Sequence, residues 1–315
     1  MTTPPRPPTT TPAQARVVEE VLGWAQPRPL IPAGLVAALR GGFGEAFDDA
    51  FGDAVGEAGA GPVADPTRRR AVPVRALLAD PTSGDPGSIA HDRDTLRGIL
   101  LTRSFARDVE LGHLGAPEVM VATVADEVAA ERPADPGSAS LWWNAAPRSV
   151  RDDIVAEVVD VVADLRSLWP PLTAAGLSIA VRRQLRAPVG DDALLLTARP
   201  DLVLDSPRRD ERARSLVVVT RSGMPRPPED RALVRATALV QTLADGRPPF
   251  RWVVLHLTDG RLESEDLQPE VLLATATELG RRAAGFLVRE AATESPVVAA
   301  TRSDRSGTHT GRGGR

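Results

Sequence analysis

The side chains able to do chemistry in this chain are few in kind. All 38 basic residues are Arg, with no Lys, Cys or Tyr, and 42 acids bring the net charge to −4. Without Lys there is no Schiff-base amine, P-loop lysine or lysine general base. Without Cys there is no thiolate nucleophile, disulfide, iron–sulfur cluster or cysteine-ligated zinc. The four His (His91, His113, His256 and His309) are too scattered for a multi-histidine metal site. Carboxylate and guanidinium chemistry remain, and they are unevenly spread. From Arg199 to Arg251 eleven Arg face seven acids, a local +4, and Arg182, Arg183 and Arg186 precede them. Residues 41–67 carry six acids and no Arg, a local −6. A basic groove of this kind suits phosphate tracking, with affinity that falls as salt rises. Arg is also the only cation available for ordinary solvated surface, so Arg-rich faces have a second, structural explanation.

The elements that must position these groups follow from periodicity. Helices are expected at Ala13–Trp24, Leu35–Val55, Asp94–Leu111, Pro117–Ala130, Ser149–Leu168, Pro228–Ala244 and Gln268–Val288. Phe43, Phe47, Phe51 and Val55 form a stripe every four residues, read as core-facing, with a partner-docking face as the alternative. Glycines at 44, 52 and 56 each cost that helix about 1 kcal/mol of propensity, so it needs tertiary packing. Strands are expected at 179–187, at 194–204 with an interruption at Arg199-Pro200, at Ser215–Thr220 and at Arg251–Leu257. Gly61–Gly87 reads as a linker. Trp142 and Trp143 read as a loop anchored in the core, with base stacking as the alternative. Residues 1–14 and 291–315 read as disordered, the latter an Arg/Gly tail that ends in net +3 over Thr301–Arg315. The remainder divides into a mostly helical region, 15–147, and an α/β core, 148–290. No signal peptide or membrane-length apolar run is visible, so a soluble cytoplasmic protein without a membrane partner is expected. The Arg-for-Lys bias with abundant Ala and Pro points to a GC-rich bacterial source.

The order α-β-β-β-α-β, with Asp201 in Arg-Pro-Asp-Leu-Val-Leu and a following strand ending Val-Thr-Arg-Ser-Gly, resembles the PD-(D/E)XK nuclease superfamily, closest to its RecB-like branch of actinobacterial type. The helix at Pro228–Phe250 with its Gly-Arg-Pro-Pro-Phe turn, the strand and acidic segment at 251–267, and Thr-Leu-Arg-Gly at 95–98 extend the likeness over roughly 91–290. The resemblance implies an α/β, restriction-endonuclease-like core, a central mixed sheet flanked by helices, with a helical N-terminal extension. It also implies Mg²⁺- or Mn²⁺-dependent hydrolysis of DNA, in which converging carboxylates hold the ion and a Lys orients the water.

Against that pattern the catalytic positions fall on Asp201 and Arg221. The positions of the second carboxylate, the helix His and Glu, and the later Gln and Tyr fall on Val219, Thr102, Ala106, Leu233 and Thr237. Charges about 4 Å apart interact by roughly 4 kcal/mol at an effective dielectric of 20, and a divalent ion doubles that. Loss of one carboxylate ligand therefore weakens Mg²⁺ by several kcal/mol. Asp201 with Arg221 is expected to be an ion pair, and no metal ligand set or cofactor is assigned. Asp205 and Glu157 are the acids that could refill the site. The expectation is a pseudoenzyme, a PD-(D/E)XK-like protein without catalysis that keeps a DNA-binding or regulatory role, with Arg182, Arg186, Arg199, Arg221 and Arg235 as nucleic-acid contacts. The alternatives are an active Mg²⁺/Mn²⁺ nuclease with a rearranged site and a protein–protein interaction module.

Overall fold

The computed structural model describes residues 11–23, 28–58, 70–79, 92–133, 138–172, 178–190, 194–205, 213 and 215–294. The readings that touch residues 1–10 and 295–315, the linker at 61–69 and 80–87, His91, His309, and the side chains of Val55 and Glu57 lie outside them.

The chain enters as helix α1 (Pro12–Arg16), opened by a capping box in which Thr11 and Gln14 satisfy each other's backbone amides. It continues as one π-helical turn, Val17–Val21. The Pro/Thr tract is thus ordered from Pro12 rather than from residue 15. Its anchors are the Gln14 amide, donating to Arg166 O at 2.7 Å, and the Thr11 hydroxyl, donating to Ser167 O at 3.0 Å. Helix α2 (Leu35–Ala58) packs along α9 (Pro269–Glu294). Phe43 is fully buried there, while Phe47 and Phe51 are half-buried and stack in series with centroids 6.3 and 5.6 Å apart. The stripe is therefore mainly a core contact.

The stretch read as a linker contains two elements, strand β1 (Arg70–Pro73) and the short helix α3 (Val74–Leu78). Helices α4 (Arg93–Glu110), α5 (Pro117–Ala130), α6 (Ala139–Ala145) and α7 (Arg148–Leu168) follow. Trp142 and Trp143 lie on α6, not in a loop, and successive helical positions send them different ways: Trp143 into the core, Trp142 toward solvent. Asp92 caps α4 by accepting the Thr95 amide at 2.8 Å.

The second half departs further from a simple strand series. The strand expected at 179–187 splits into β2 (Ser178–Val181) and β3 (Leu185–Val189), and that expected at 194–204 splits into β4 (Leu194–Ala198) and β5 (Leu202–Asp205). Then come β6 (Ser215–Arg221), α8 (Pro227–Asp245), β7 (Arg251–His256) and β8 (Arg261–Asp266). Strand β8 was not expected; its sequence, Arg-Leu-Glu-Ser-Glu-Asp, is that of a charged edge strand. Among the described residues there are two mixed sheets, β1-β4-β3 and β2-β5-β6-β7-β8. In the larger sheet all neighbours are antiparallel except β6 and β7, which run parallel through the α8 crossover.

Period-two alternation gives this sheet two apolar faces. Leu202, Leu204, Leu216, Val218, Val253 and Leu255 pack with α4, α5 and α7. Val217, Val219, Trp252 and Val254 pack with α2, α8, α9 and the small sheet. Cover on both faces explains the unbroken Leu-Val-Val-Val run of β6. The protein is thus an α/β fold around a central mixed sheet. No helix among the described residues is long and apolar enough to cross a membrane.

Candidate functional site

Two chain reversals build the site. After β2 the chain leaves the large sheet at Arg182, whose φ of +48° is rare for a residue with a side chain. The Arg199 Nε donates to the Arg182 carbonyl at 3.1 Å and braces this turn. After the β3–β4 hairpin the chain returns at Pro200 to enter β5, so that Arg182, Arg199 and Asp201 meet. The Arg182 amide donates to Asp201 O at 2.9 Å and the Asp201 amide to Val218 O at 3.1 Å. The Asp201 side chain is buried, and its Oδ2 accepts the Thr220 amide at 2.7 Å.

A cleft of about 1290 Å³ opens over this point. Arg75, Arg97, Arg103, Arg182, Arg199, Arg221 and Arg226 line it, drawn from α3, α4, the two reversals, the end of β6 and the start of α8. Their partners decide what they can do. Arg97 pairs with Glu157 at 3.0 Å and Arg103 with Glu131 at 2.5 Å. Arg221 pairs with the buried Asp230 at 2.5 Å. For Arg75, Arg182, Arg199 and Arg226 no carboxylate stands within ion-pair distance among the described residues. Gly98 of α4 permits the loop after β6 to close in, since a Cβ there would stand 2.4 Å from Ser222 Oγ.

Burial pushes the Asp201 carboxyl above its ordinary range, outweighing the Thr220 amide and the positive charges of Arg75 and Arg182. Arg182 is lowered to about 10, by burial first and then by repulsion from Arg103 and Arg199. Arg75 is also lowered, by burial first, with Asp201 opposing and Arg221 adding to the fall. The charges of this cleft are therefore mutually dependent.

Of the residues the sequence singled out, Asp201, Arg221, Thr102, Val219, Leu233 and Thr237 all line this one cleft, and Ala106 is buried in the core one turn along α4. Arg182 and Arg199 line it, but two other expected contacts do not. Arg186 is exposed on β3, and Arg235 is held by Glu265 at 2.7 Å. The expected Asp201–Arg221 ion pair is replaced: Arg221 faces Asp230, because the loop after β6 turns straight into the first turn of α8. Neither acid proposed to refill the site does so. Asp205 is exposed at the far end of β5, roughly 13 Å along the strand. Glu157 is engaged by Arg93 and Arg97. Arg75, Arg97, Arg103 and Arg226 also line the cleft and were not among the expected contacts. A signal existed only for Arg97, in its Arg-Gly pair.

The donor set does not fit a Mg²⁺ or Mn²⁺ ion. Such an ion requires converging carboxylates. Here Asp201 stands beside Val219, which is 2% exposed, and the other buried carboxylate of the cleft, Asp230, is taken by Arg221 at 2.5 Å. Among the described residues no group of three or more His, Cys, Asp or Glu could hold a metal. What the arrangement can do is hold an anion by charge-assisted, bidentate hydrogen bonds. No protein-family model matches the chain, and a search of characterised proteins finds no match.

Proposed function

We propose that this protein is a PD-(D/E)XK nuclease-like module without hydrolytic activity whose cleft binds the phosphodiester backbone of nucleic acid. One observation carries the proposal: seven arginines, four of them without a carboxylate partner, converge on a cleft in which the buried Asp201 has no free carboxylate beside it, the other buried acid, Asp230, being held by Arg221. The strand order supports the scaffold. With the β3–β4 hairpin taken as an insertion, α7-β2-β5-β6-α8-β7 follows the α-β-β-β-α-β order of the resemblance, with a parallel pair only at β6–β7. The cleft exceeds the ~300–1,000 Å³ of typical small-molecule pockets, as a polymer site should.

Fluorescence anisotropy with labelled single- and double-stranded oligonucleotides tests the binding. With three or four phosphates neutralised, log K should fall against log salt with a slope of about −3. The same oligonucleotides should stay intact in Mg²⁺ and in Mn²⁺. No binding at low salt would refute the nucleic-acid role. Metal-dependent cutting that is lost in Asp201→Ala would refute the inactive assignment.

A further inference from the structure

We infer that Arg75 and Arg182 form a phosphate seat beside Asp201 that works without a divalent metal, guanidinium charge taking the place of the ion. This rests on the nucleic-acid reading above and adds to it the source of the charge.

Four observations converge on the seat. Arg75 comes from outside the α/β core. The parallel pairing of β1 with β4, in register Pro73↔Thr197, brings α3 to the cleft and its guanidinium into the field of Asp201. The charge of Arg182 acts on the same carboxylate, from a left-handed backbone braced by Arg199. Such a conformation costs about 1–3 kcal/mol and persists where the surroundings enforce it. Neither guanidinium has a carboxylate within ion-pair distance among the described residues. With Arg221 held by Asp230, the unpaired Arg75, Arg182 and Arg199 outnumber the one unpaired buried acid of the cleft among the described residues, Asp201. A phosphodiester carries one negative charge. Finally, a buried polar atom of a residue in the same lining lacks a hydrogen-bond partner: His256 Nδ1 on β7. An imidazole nitrogen able to donate suits a phosphate oxygen.

Asp201 has a sign-determining part here. A carboxylate that ligated a metal would help the phosphate bind. A carboxylate between two arginines instead competes with the phosphate for them. Asp201→Asn keeps an oxygen to accept the Thr220 amide and removes the charge.

The experiment measures oligonucleotide affinity by anisotropy in excess EDTA and with Mg²⁺ restored, for the wild type, Arg75→Ala, Arg182→Ala, Asp201→Asn and the control Arg235→Ala. Circular dichroism melts establish that each variant is folded; Arg182→Gln replaces Arg182→Ala if the latter is not. The seat predicts equal affinity in both buffers. Arg75→Ala and Arg182→Ala each weaken binding by about tenfold or more, the worth of a charge-assisted hydrogen bond. Arg235→Ala changes it less than about fivefold, as expected of a surface ion pair. Asp201→Asn tightens it. Binding that requires Mg²⁺, weakens in Asp201→Asn or ignores both cleft arginines overturns the seat and leaves nucleic-acid binding standing. Absence of binding in both buffers overturns the proposed function itself.

Discussion

The crossing of α2 over α9 makes a demand that one methyl group can test. A Cβ built on Gly280 would lie 2.4 Å from the Phe43 carbonyl oxygen, 3.1 Å from the Phe47 amide nitrogen and 3.2 Å from Ala46 Cβ. Carbon contacts ordinarily begin near 3.5 Å, so Gly280→Ala must part the helices by about 1 Å. Two of the three obstructing atoms belong to helix backbone and cannot swing aside. The parting loosens Leu39, Phe43, Leu272, Ala276 and Leu279, all at most 1% exposed. Overpacking of this type costs about 1–3 kcal/mol, and the cost here belongs at the upper end because a whole seam is affected. Replacing Gly inside a helix returns about 1 kcal/mol of propensity. The net loss is therefore about 2 kcal/mol, or a melting temperature lower by roughly 3 °C for a chain of this size. Gly44, on α2 itself, is the internal comparison. A Cβ there meets nothing within 4 Å, so Gly44→Ala should stabilise by about 0.5–1 kcal/mol. Urea titration followed by circular dichroism reads both variants, with the midpoint moving and the slope constant. A Gly280→Ala protein as stable as the wild type would refute the described approach of α2 to α9.

Asp108 and Asp201 should show opposite pH signatures. Burial alone would raise Asp108, but hydrogen bonds from His113 at 2.6 Å and Arg166 at 2.5 Å overcome it and hold the carboxyl below its ordinary range. Its stabilisation is therefore present above the ordinary carboxyl range and lost as pH falls through the lowered value. Asp108→Asn should cost about 3 kcal/mol at neutral pH, and its melting temperature should converge on the wild type in acid. Asp201 is raised, so the folded state favours its protonated form and loses stability as pH climbs through the raised value. Asp201→Asn should therefore melt above the wild type at neutral pH, with the difference vanishing in acid; a lower melting temperature at neutral pH would contradict this. Val219→Asp should create the missing carboxylate pair, so that Mn²⁺ raises the melting temperature of the variant and not of the wild type. An equal rise in both would contradict the donor-set assignment.

The sequence made some of this legible and hid the rest for identifiable reasons. Ser149–Leu168 read correctly as a helix because Ile154, Val158, Val162 and Leu165 form one buried stripe, packed mainly against α4 and α5; Pro228–Ala244 read correctly although it is buried nearly all round from Leu233 to Leu243, and β6 because both its faces are covered. The first sheet switch was invisible, because alternation runs on through Arg182 and a left-handed Arg carries no sequence signal of the kind a Gly would; the second showed only as the interruption at Arg199-Pro200. Strand β8 escaped because an edge strand that is charged to deter further pairing looks like a polar loop. Trp142-Trp143 was misread because α6, seven residues long and bounded by prolines, is too short to display a period.

The cleft was half legible, and its hidden half changes the chemistry. Asp201, Arg182, Arg199 and Arg221 lie within forty residues of one another in the chain, close enough for local pattern to gather them. Arg75 lies in a segment that looked like a linker, and only the parallel pairing of β1 with β4 brings it to the site. Sequence reasoning therefore matched Asp201 with Arg221, the nearest charge in the pattern. The fold instead gives Arg221 to Asp230 and surrounds Asp201 with Arg75 and Arg182. That exchange alters the balance, because an Asp201–Arg221 pair would neutralise itself and offer a ligand nothing. Two arginines acting on one buried carboxylate leave positive charge unspent, and the proposed phosphate binding rests on this surplus rather than on the acid.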